Sequence, residues 1–244
     1  MGTSFHWRFG RTVLAPLLHL GLRLRIEGRE NIVRDRPQII ACNHTSFVDP
    51  ILAGYASGIE TWFLAKQEVF DGSRFLAWLI RTYNTLPVRR GANDRTVLER
   101  CSAVLRQNRS LVLFPEGTRS RTGRFQPLKS GVARLAISNQ VPVIPTYIRG
   151  LWQSFIPWMV DWDIVRYARI ENPDGRRFRL ASLWTSRVFV GFGRPLSPDG
   201  FGATREDYAR FTEQLACSMG ELAHPDLAYE PPRSPRTQRV SECS

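Results

Sequence analysis

A histidine and an aspartate stand five positions apart in Asn43-His44-Thr45-Ser46-Phe47-Val48-Asp49, directly after the apolar run Gln38-Ile39-Ile40-Ala41-Cys42. These residue types make up a general base and the acid that orients it. Imidazole has an unperturbed pKa of about 6.5, so it takes and returns a proton near neutrality, and a carboxylate on its far nitrogen fixes the tautomer and stabilises the imidazolium. A hydroxyl group is a suitable substrate for such a base. Five positions on one helix lie about 140° from facing, so His44 and Asp49 touch only if a turn separates them. Asp49-Pro50 reads as an N-cap followed by proline at the first helical position, ahead of Ile51 to Tyr55, and this supplies the turn. A reading without catalysis makes Asp49 a simple cap and His44 incidental.

A second constellation argues for chemistry. Leu111-Val112-Leu113-Phe114 is a short apolar strand that opens into Pro115-Glu116-Gly117-Thr118-Arg119-Ser120, a turn carrying a carboxylate, a hydroxyl and a guanidinium. In open α/β sheets ligands sit beyond the carboxyl ends of the strands, and both His44 and the segment from Glu116 to Arg119 follow strand-like runs. The two strand ends are expected to converge on one pocket.

With these residues the chain resembles the glycerolipid acyltransferase superfamily, specifically the 1-acylglycerol-3-phosphate acyltransferases. The signatures of that family, histidine and aspartate with four residues between them and Phe-Pro-Glu-Gly-Thr-Arg-Ser, stand complete as His44/Asp49 and Phe114 to Ser120. Thr85-Leu86-Pro87-Val88-Arg89-Arg90-Gly91 is similar to a third block and Val141-Pro142-Val143-Ile144-Pro145 to a fourth, and the resemblance spans roughly residues 20 to 220. Arg89 occupies the place of the usual aspartate, so Arg90 holds the register of the arginine expected to meet phosphate. The resemblance implies that His44 deprotonates the free hydroxyl of a lysophospholipid, with Asp49 orienting it, and that acyl transfer is direct. It implies that Arg90, Glu116, Gly117, Thr118 and Arg119 hold the glycerol phosphate, with Arg119 as a bidentate fork, and that Val143, Ile144 and Pro145 line or support the acyl region. Lysophosphatidic acid is the leading acceptor, another lysophospholipid or a lyso-aminolipid the alternative. The donor is acyl-CoA or acyl-carrier protein, used as co-substrate; no cofactor is bound permanently. A catalytically silent lipid-binding module of the same fold competes with the enzyme, as does a Ser46 hydrolase, although Ser46 lacks the Gly-x-Ser-x-Gly turn.

Apolar runs at Gln38 to Cys42, Trp62 to Ala65, Thr85 to Val88, Leu111 to Phe114, Val143 to Ile148 and Val188 to Phe192 read as buried strands, with helices between them. One helix starts at Asn93 or Asp94 and runs to Asn108, with Val97, Cys101, Val104 and Leu105 on one face; another starts at Thr204, whose pairing with Asp207 resembles a capping box. The expected fold is α/β: one domain, a mixed, mostly parallel sheet flanked by helices, and an N-terminal amphipathic membrane-contacting segment. Residues 1–25 form that segment, 26–224 the acyltransferase domain and 225–244 a loose tail; Asn172 to Gly175 reads as a turn between strands. At 244 residues and 43% hydrophobic content the chain can bury a substantial core without a second domain.

The formal charge of +12 comes from 34 basic residues, of which only Lys66 and Lys129 are lysine. Arg119, Arg121, Arg124, Lys129 and Arg134 follow Glu116 with no acidic residue between them, a basic rim suited to coenzyme A phosphates, an acidic carrier or an anionic bilayer. Nucleic acid is disfavoured because no recognised motif accompanies the charge. Near the N-terminus Phe5, Trp7 and Phe9 alternate with His6 and Arg8, and the 11-residue stretch Thr12 to Leu22 is too short for a span, which needs about 20 residues. An interfacial helix fits, with its aromatics at headgroup depth, and packing on the domain's own core is the alternative. No cleavable signal peptide is recognisable, so the active site is expected at the cytoplasmic face of a membrane. The four histidines are scattered and the four cysteines show no ligand spacing, so metal is not expected and the thiols read as reduced.

Overall fold

The computed structural model describes residues 4–71, 74–88, 94–120, 123–151 and 187–223. Its strands are β1 (Arg25–Glu27), β2 (Ile39–Cys42), β3 (Thr61–Lys66), β4 (Thr85–Val88), β5 (Ser110–Leu113), β6 (Val143–Arg149) and β7 (Phe189–Phe192). Between and around them lie α1 (Phe5–Pro16), α2 (Asp49–Ser57), α3 (Gln67–Asp71), α4 (Arg74–Thr82), α5 (Asp94–Arg106), α6 (Gly131–Asn139) and α7 (Arg205–Ala223). The six expected strands all form, with no end shifted by more than one residue. β1 was not expected, because Arg-Ile-Glu holds a single apolar residue; parallel pairing with β7 makes it a strand.

The sheet runs in the order β1-β7-β6-β2-β5-β3-β4. Five adjacent strands, from β6 to β4, are mutually parallel, and the antiparallel β6–β7 pairing turns the other two around. The carboxyl ends of β6, β2, β5, β3 and β4 therefore share one edge. Alternate side chains serve opposite layers: Ile39, Ala41, Leu111 and Val143 pack with α5, α6 and α7, while Ile40, Cys42, Val112 and Ile144 pack with α2 and the N-terminal helix. The parity of Ile40 and Cys42 carries on to His44, toward the layer that contains α2.

α7 starts as its sequence suggests. Thr204 Oγ1 accepts the Asp207 N–H at 3.1 Å, but the shorter aspartate reaches back to the Gly202 N–H (3.1 Å) instead of closing on the cap residue's own amide. Asp49 departs from the cap expected of it: α2 begins at Asp49 itself, with Val48 in the N-cap position and proline just inside. Its carboxylate is drawn backwards by donors that precede the helix. Cys42 and Cys101 are free and buried. Cys217 is disulfide-bonded, a correction to the reduced state expected of it, since separation along the chain does not limit which thiols meet in space. Arg90, the Asn172 to Gly175 turn and the 225–244 tail lie outside the described residues.

The N-terminal helix is apolar on two sides. Trp7, only 5% exposed, stacks on Phe63 and meets Tyr83 edge-on, both at 6.1 Å between ring centroids, and a β-carbon at Gly10 would collide with the Tyr83 ring. The other side carries Phe5 (75% exposed), Phe9 (60%) and Val13 (55%), spaced four apart and so aligned on one face. The expectation that Trp7 sits at headgroup depth is thereby corrected, because alternation of aromatics with charge does not say which of them meet the core. Truncating Trp7 to alanine should cost about 3–5 kcal/mol of stability, whereas Phe9→Ser should change it by no more than about 0.5 kcal/mol, as read by urea denaturation.

Candidate active site

β2 and β5 are hydrogen-bonded neighbours, with Ile39, Ile40 and Ala41 opposite Leu111, Val112 and Leu113. Two residues beyond β2 comes His44, and three beyond β5 comes Glu116. Pairing in register therefore delivers both loops to the same place. His44 Nδ1 lies 2.9 Å from Asp49 Oδ2, and the same oxygen accepts the Thr45 and Ser46 N–H groups at 2.6 Å each. An oxygen that already accepts two amides is an acceptor for the imidazole as well, so Nδ1 carries the proton and Nε2 is left with its lone pair. Asp49 is fully buried, while the His44 side chain keeps 18% of its surface exposed. That is the geometry of a base presented to a substrate by an acid that solvent does not reach.

The His44 backbone is held as firmly as its ring. Its N–H donates to Glu116 Oε1 (2.9 Å) and its carbonyl accepts from the Ser120 N–H (2.7 Å), while the Phe114 ring stacks on the imidazole at 4.0 Å. Asn43, to which the sequence reading gave no role, pairs both ends of its amide with the Ile148 backbone: Nδ2 donates to the carbonyl (3.1 Å) and Oδ1 accepts the N–H (2.7 Å). This side chain extends the β2–β6 ladder beyond the strand. An asparagine amide mimics a peptide, but nothing in the sequence says which peptide it will meet.

Gly117 has φ +75°, and a β-carbon there would fall 2.7 Å from Lys129 Nζ, so glycine both supplies the left-handed turn and makes room for the ammonium. Gly117 and Thr118 are exposed and Arg119 is half-buried, its guanidinium lying 3.7 Å over the exposed ring of Phe47. Phe47 thus links the two motifs, a contact the sequence reading did not foresee. Lys66, likewise given no role, ends β3 on this edge, opposite Val88 of β4. Val143 and Ile144 are fully buried in opposite core layers and Pro145, next in β6, is buried too, its carbonyl accepting the Gly193 N–H.

The sequence model of the acyltransferase family matches residues 23–149, which hold both motifs and six of the seven strands among the described residues. The chain belongs to the acyltransferase family. It is 35% identical over 136 residues to a 1-acyl-sn-glycerol-3-phosphate acyltransferase of Cocos nucifera, a match covering 54% of this chain and 42% of that one. It is 26% identical over 147 residues to the protein of the same name from Bacillus subtilis, with 59% and 71% covered. The crystal structure of the 1-acyl-sn-glycerophosphate (LPA) acyltransferase PlsC from Thermotoga maritima matches with a TM-score of 0.60 at 26% identity, covering 90% of this chain and 79% of that one. The chain spans less than half the length of the plant relatives it matches.

In this member of the family the hydroxyl of Ser46 and the thiol of Cys42, both close to His44 in the chain, are shut away. Ser46 is fully buried and its Oγ accepts the Val48 N–H at 3.2 Å; burial pushes the Cys42 thiol well up. Glu116, 3% exposed, is raised from 4.5 to about 7, chiefly by burial and in part by the nearby Asp49, against the lowering effect of the His44 and Gln126 amides. A carboxyl raised on folding makes the protein more stable where it is protonated, so its contribution falls as pH climbs from about 4.5 to about 7 and levels off above that. Measured against Glu116→Gln by urea denaturation, the wild-type advantage should shrink by on the order of 3 kcal/mol across that window.

Proposed function

We propose that the protein transfers a fatty acyl group from an acyl thioester to the free hydroxyl of 1-acylglycerol-3-phosphate, forming phosphatidic acid. The observation that carries this reading is the 2.9 Å contact between His44 and a buried Asp49, set on the strand end beside the Glu116–Arg119 turn. His44 Nε2 removes the hydroxyl proton as the oxygen attacks the thioester carbonyl. Collapse of the tetrahedral intermediate expels the thiolate, which takes the proton back from the imidazolium. Buried Ser46 and Cys42 favour direct transfer over an acyl-enzyme. Arg119, held flat against Phe47, is suited to grip the acceptor phosphate, with Thr118, the Gly117 backbone and Lys129 beside it, and Arg90 is proposed as a further phosphate ligand from the resemblance of its motif. Val143, Ile144 and Pro145, buried in β6, are assigned by the resemblance to the support of the acyl region. The donor is acyl-CoA or acyl-carrier protein, and the relatives named for 1-acyl-sn-glycerol-3-phosphate favour that acceptor over other lysolipids.

The natural setting for such substrates is an anionic bilayer surface. Among the described residues no helix is long and apolar enough to cross a membrane. The exposed Phe5, Phe9 and Val13 stripe on α1 suits shallow insertion, and α4 adds exposed Phe75 and Trp78, whose rings lie 5.9 Å apart, flanked by Arg74 and Arg81.

Purified protein should acylate lysophosphatidic acid when given acyl-CoA or acyl-carrier protein, with products resolved by mass. His44→Ala should lower turnover by about 10²–10⁴-fold or more, and Asp49→Asn should also cripple it. Arg119→Ala should instead raise the acceptor KM by an amount equivalent to about 1.5–3 kcal/mol. Near-normal transfer by a folded His44→Ala protein would remove the mechanism from consideration.

Replacing Phe5 and Phe9 by serine should weaken flotation with anionic vesicles, as should rising salt, while acylation of a short-chain, water-soluble lysolipid persists. Unchanged vesicle binding by this variant would place docking elsewhere.

A further inference from the structure

Glu116 stands within a motif expected to hold phosphate, yet its surroundings are those of an internal tether. Only 3% of the residue is exposed, Oε1 accepts the His44 N–H at 2.9 Å and Oε2 accepts the Gln126 N–H at 3.3 Å. Both oxygens are thus engaged by backbone amides. Each carboxyl oxygen already accepts an amide, so a phosphate placed here, itself an acceptor, would have to take those amides from their partner. The groups of the turn that face outward are different ones: Gly117 and Thr118 are exposed, Arg119 is half-buried against Phe47, and Lys129 is exposed beside Gly117.

We infer that Glu116 is a positioning residue, whose buried carboxylate holds the backbone from which the base His44 hangs, and that it is not a ligand of the acceptor phosphate. Together with the Ser120 N–H on the His44 carbonyl (2.7 Å), Glu116 ties both sides of that residue to the 116–120 turn. The turn is itself pinned, because the Gly117 N–H donates to the Phe114 carbonyl (3.0 Å) and the Lys129 N–H to the Pro115 carbonyl (2.8 Å). A base displaced by about 1 Å loses on the order of 10²-fold in rate, so this tether acts on the chemical step and not on substrate affinity. The inference rests on the acyl-transfer reading for its kinetic consequence alone.

The chain has four histidines, so labelling with ¹⁵N-histidine gives a spectrum simple enough to follow the His44 amide, identified by its loss in His44→Ala. In the wild-type protein that amide should exchange slowly with solvent, and in Glu116→Gln and Glu116→Asp its proton resonance should move upfield. With lysophosphatidic acid and acyl-CoA, both Glu116 variants should lose about 10²-fold in kcat while the acceptor KM stays within about twofold, the reverse of Arg119→Ala. Rapid exchange of the wild-type His44 amide, a resonance unmoved in both variants, or a raised acceptor KM with kcat intact would each overturn the inference. If the wild-type protein acylated no lysolipid, the functional reading would fall while the amide measurements still decided whether Glu116 holds His44.

Discussion

Everything at the site depends on the parallel pairing of β2 with β5. These strands are adjacent in the sheet but separated in the chain by two further strands and four helices, and their register sets His44 and Glu116 side by side. Parallel strands are evenly bonded and end together, so residues that follow adjacent strands by similar distances arrive at the same edge. A slip of one residue would send alternate side chains to the wrong core layer. The requirement that Ile39 and Ala41 bury with α5 and α6 while Ile40 and Cys42 bury with α2 therefore also fixes the position of His44.

Around His44 the structure assigns one restraint to each degree of freedom. Asp49 fixes the tautomer, Phe114 the ring plane, Glu116 and Ser120 the peptide, and Asn43 the approach of the preceding residue to β6. Two of these restraints are buried carboxylates, which are costly to keep without partners, and each is supplied with backbone amides. The basic groups take the opposite course. Lys66, Lys129 and Arg119 stand at or near the surface, where water and aromatic rings share their charge. The division separates acids that shape the loop carrying His44 from cations that stand toward solvent.

The N-terminal helix shows the same economy in its packing. Trp7 and Gly10 bind it to Phe63 and Tyr83, and Phe5 and Phe9, two residues to either side of Trp7, face outward. A helix seated on the core in this way presents an apolar stripe from a rigid platform, so insertion into a lipid surface would not require it to leave the domain.

Much of this was determined by the sequence alone. The strands are short apolar runs bounded by turn residues, α5 and α7 follow their apolar stripes, and the two motifs name themselves through residue types whose chemistry is specific. Local pattern reaches that far because propensity, periodicity and turn chemistry act over a few residues. It did not reach β1, whose strand character comes from β7, nor the burial of Trp7, nor the direction in which Asp49 points. It grouped Glu116 with Arg119 because they are neighbours in the chain. Only the tertiary structure separated them, since a carboxylate three residues past β5 meets the amide two residues past β2 once the strands pair, and solvent is then excluded from one end of the turn and not from the other.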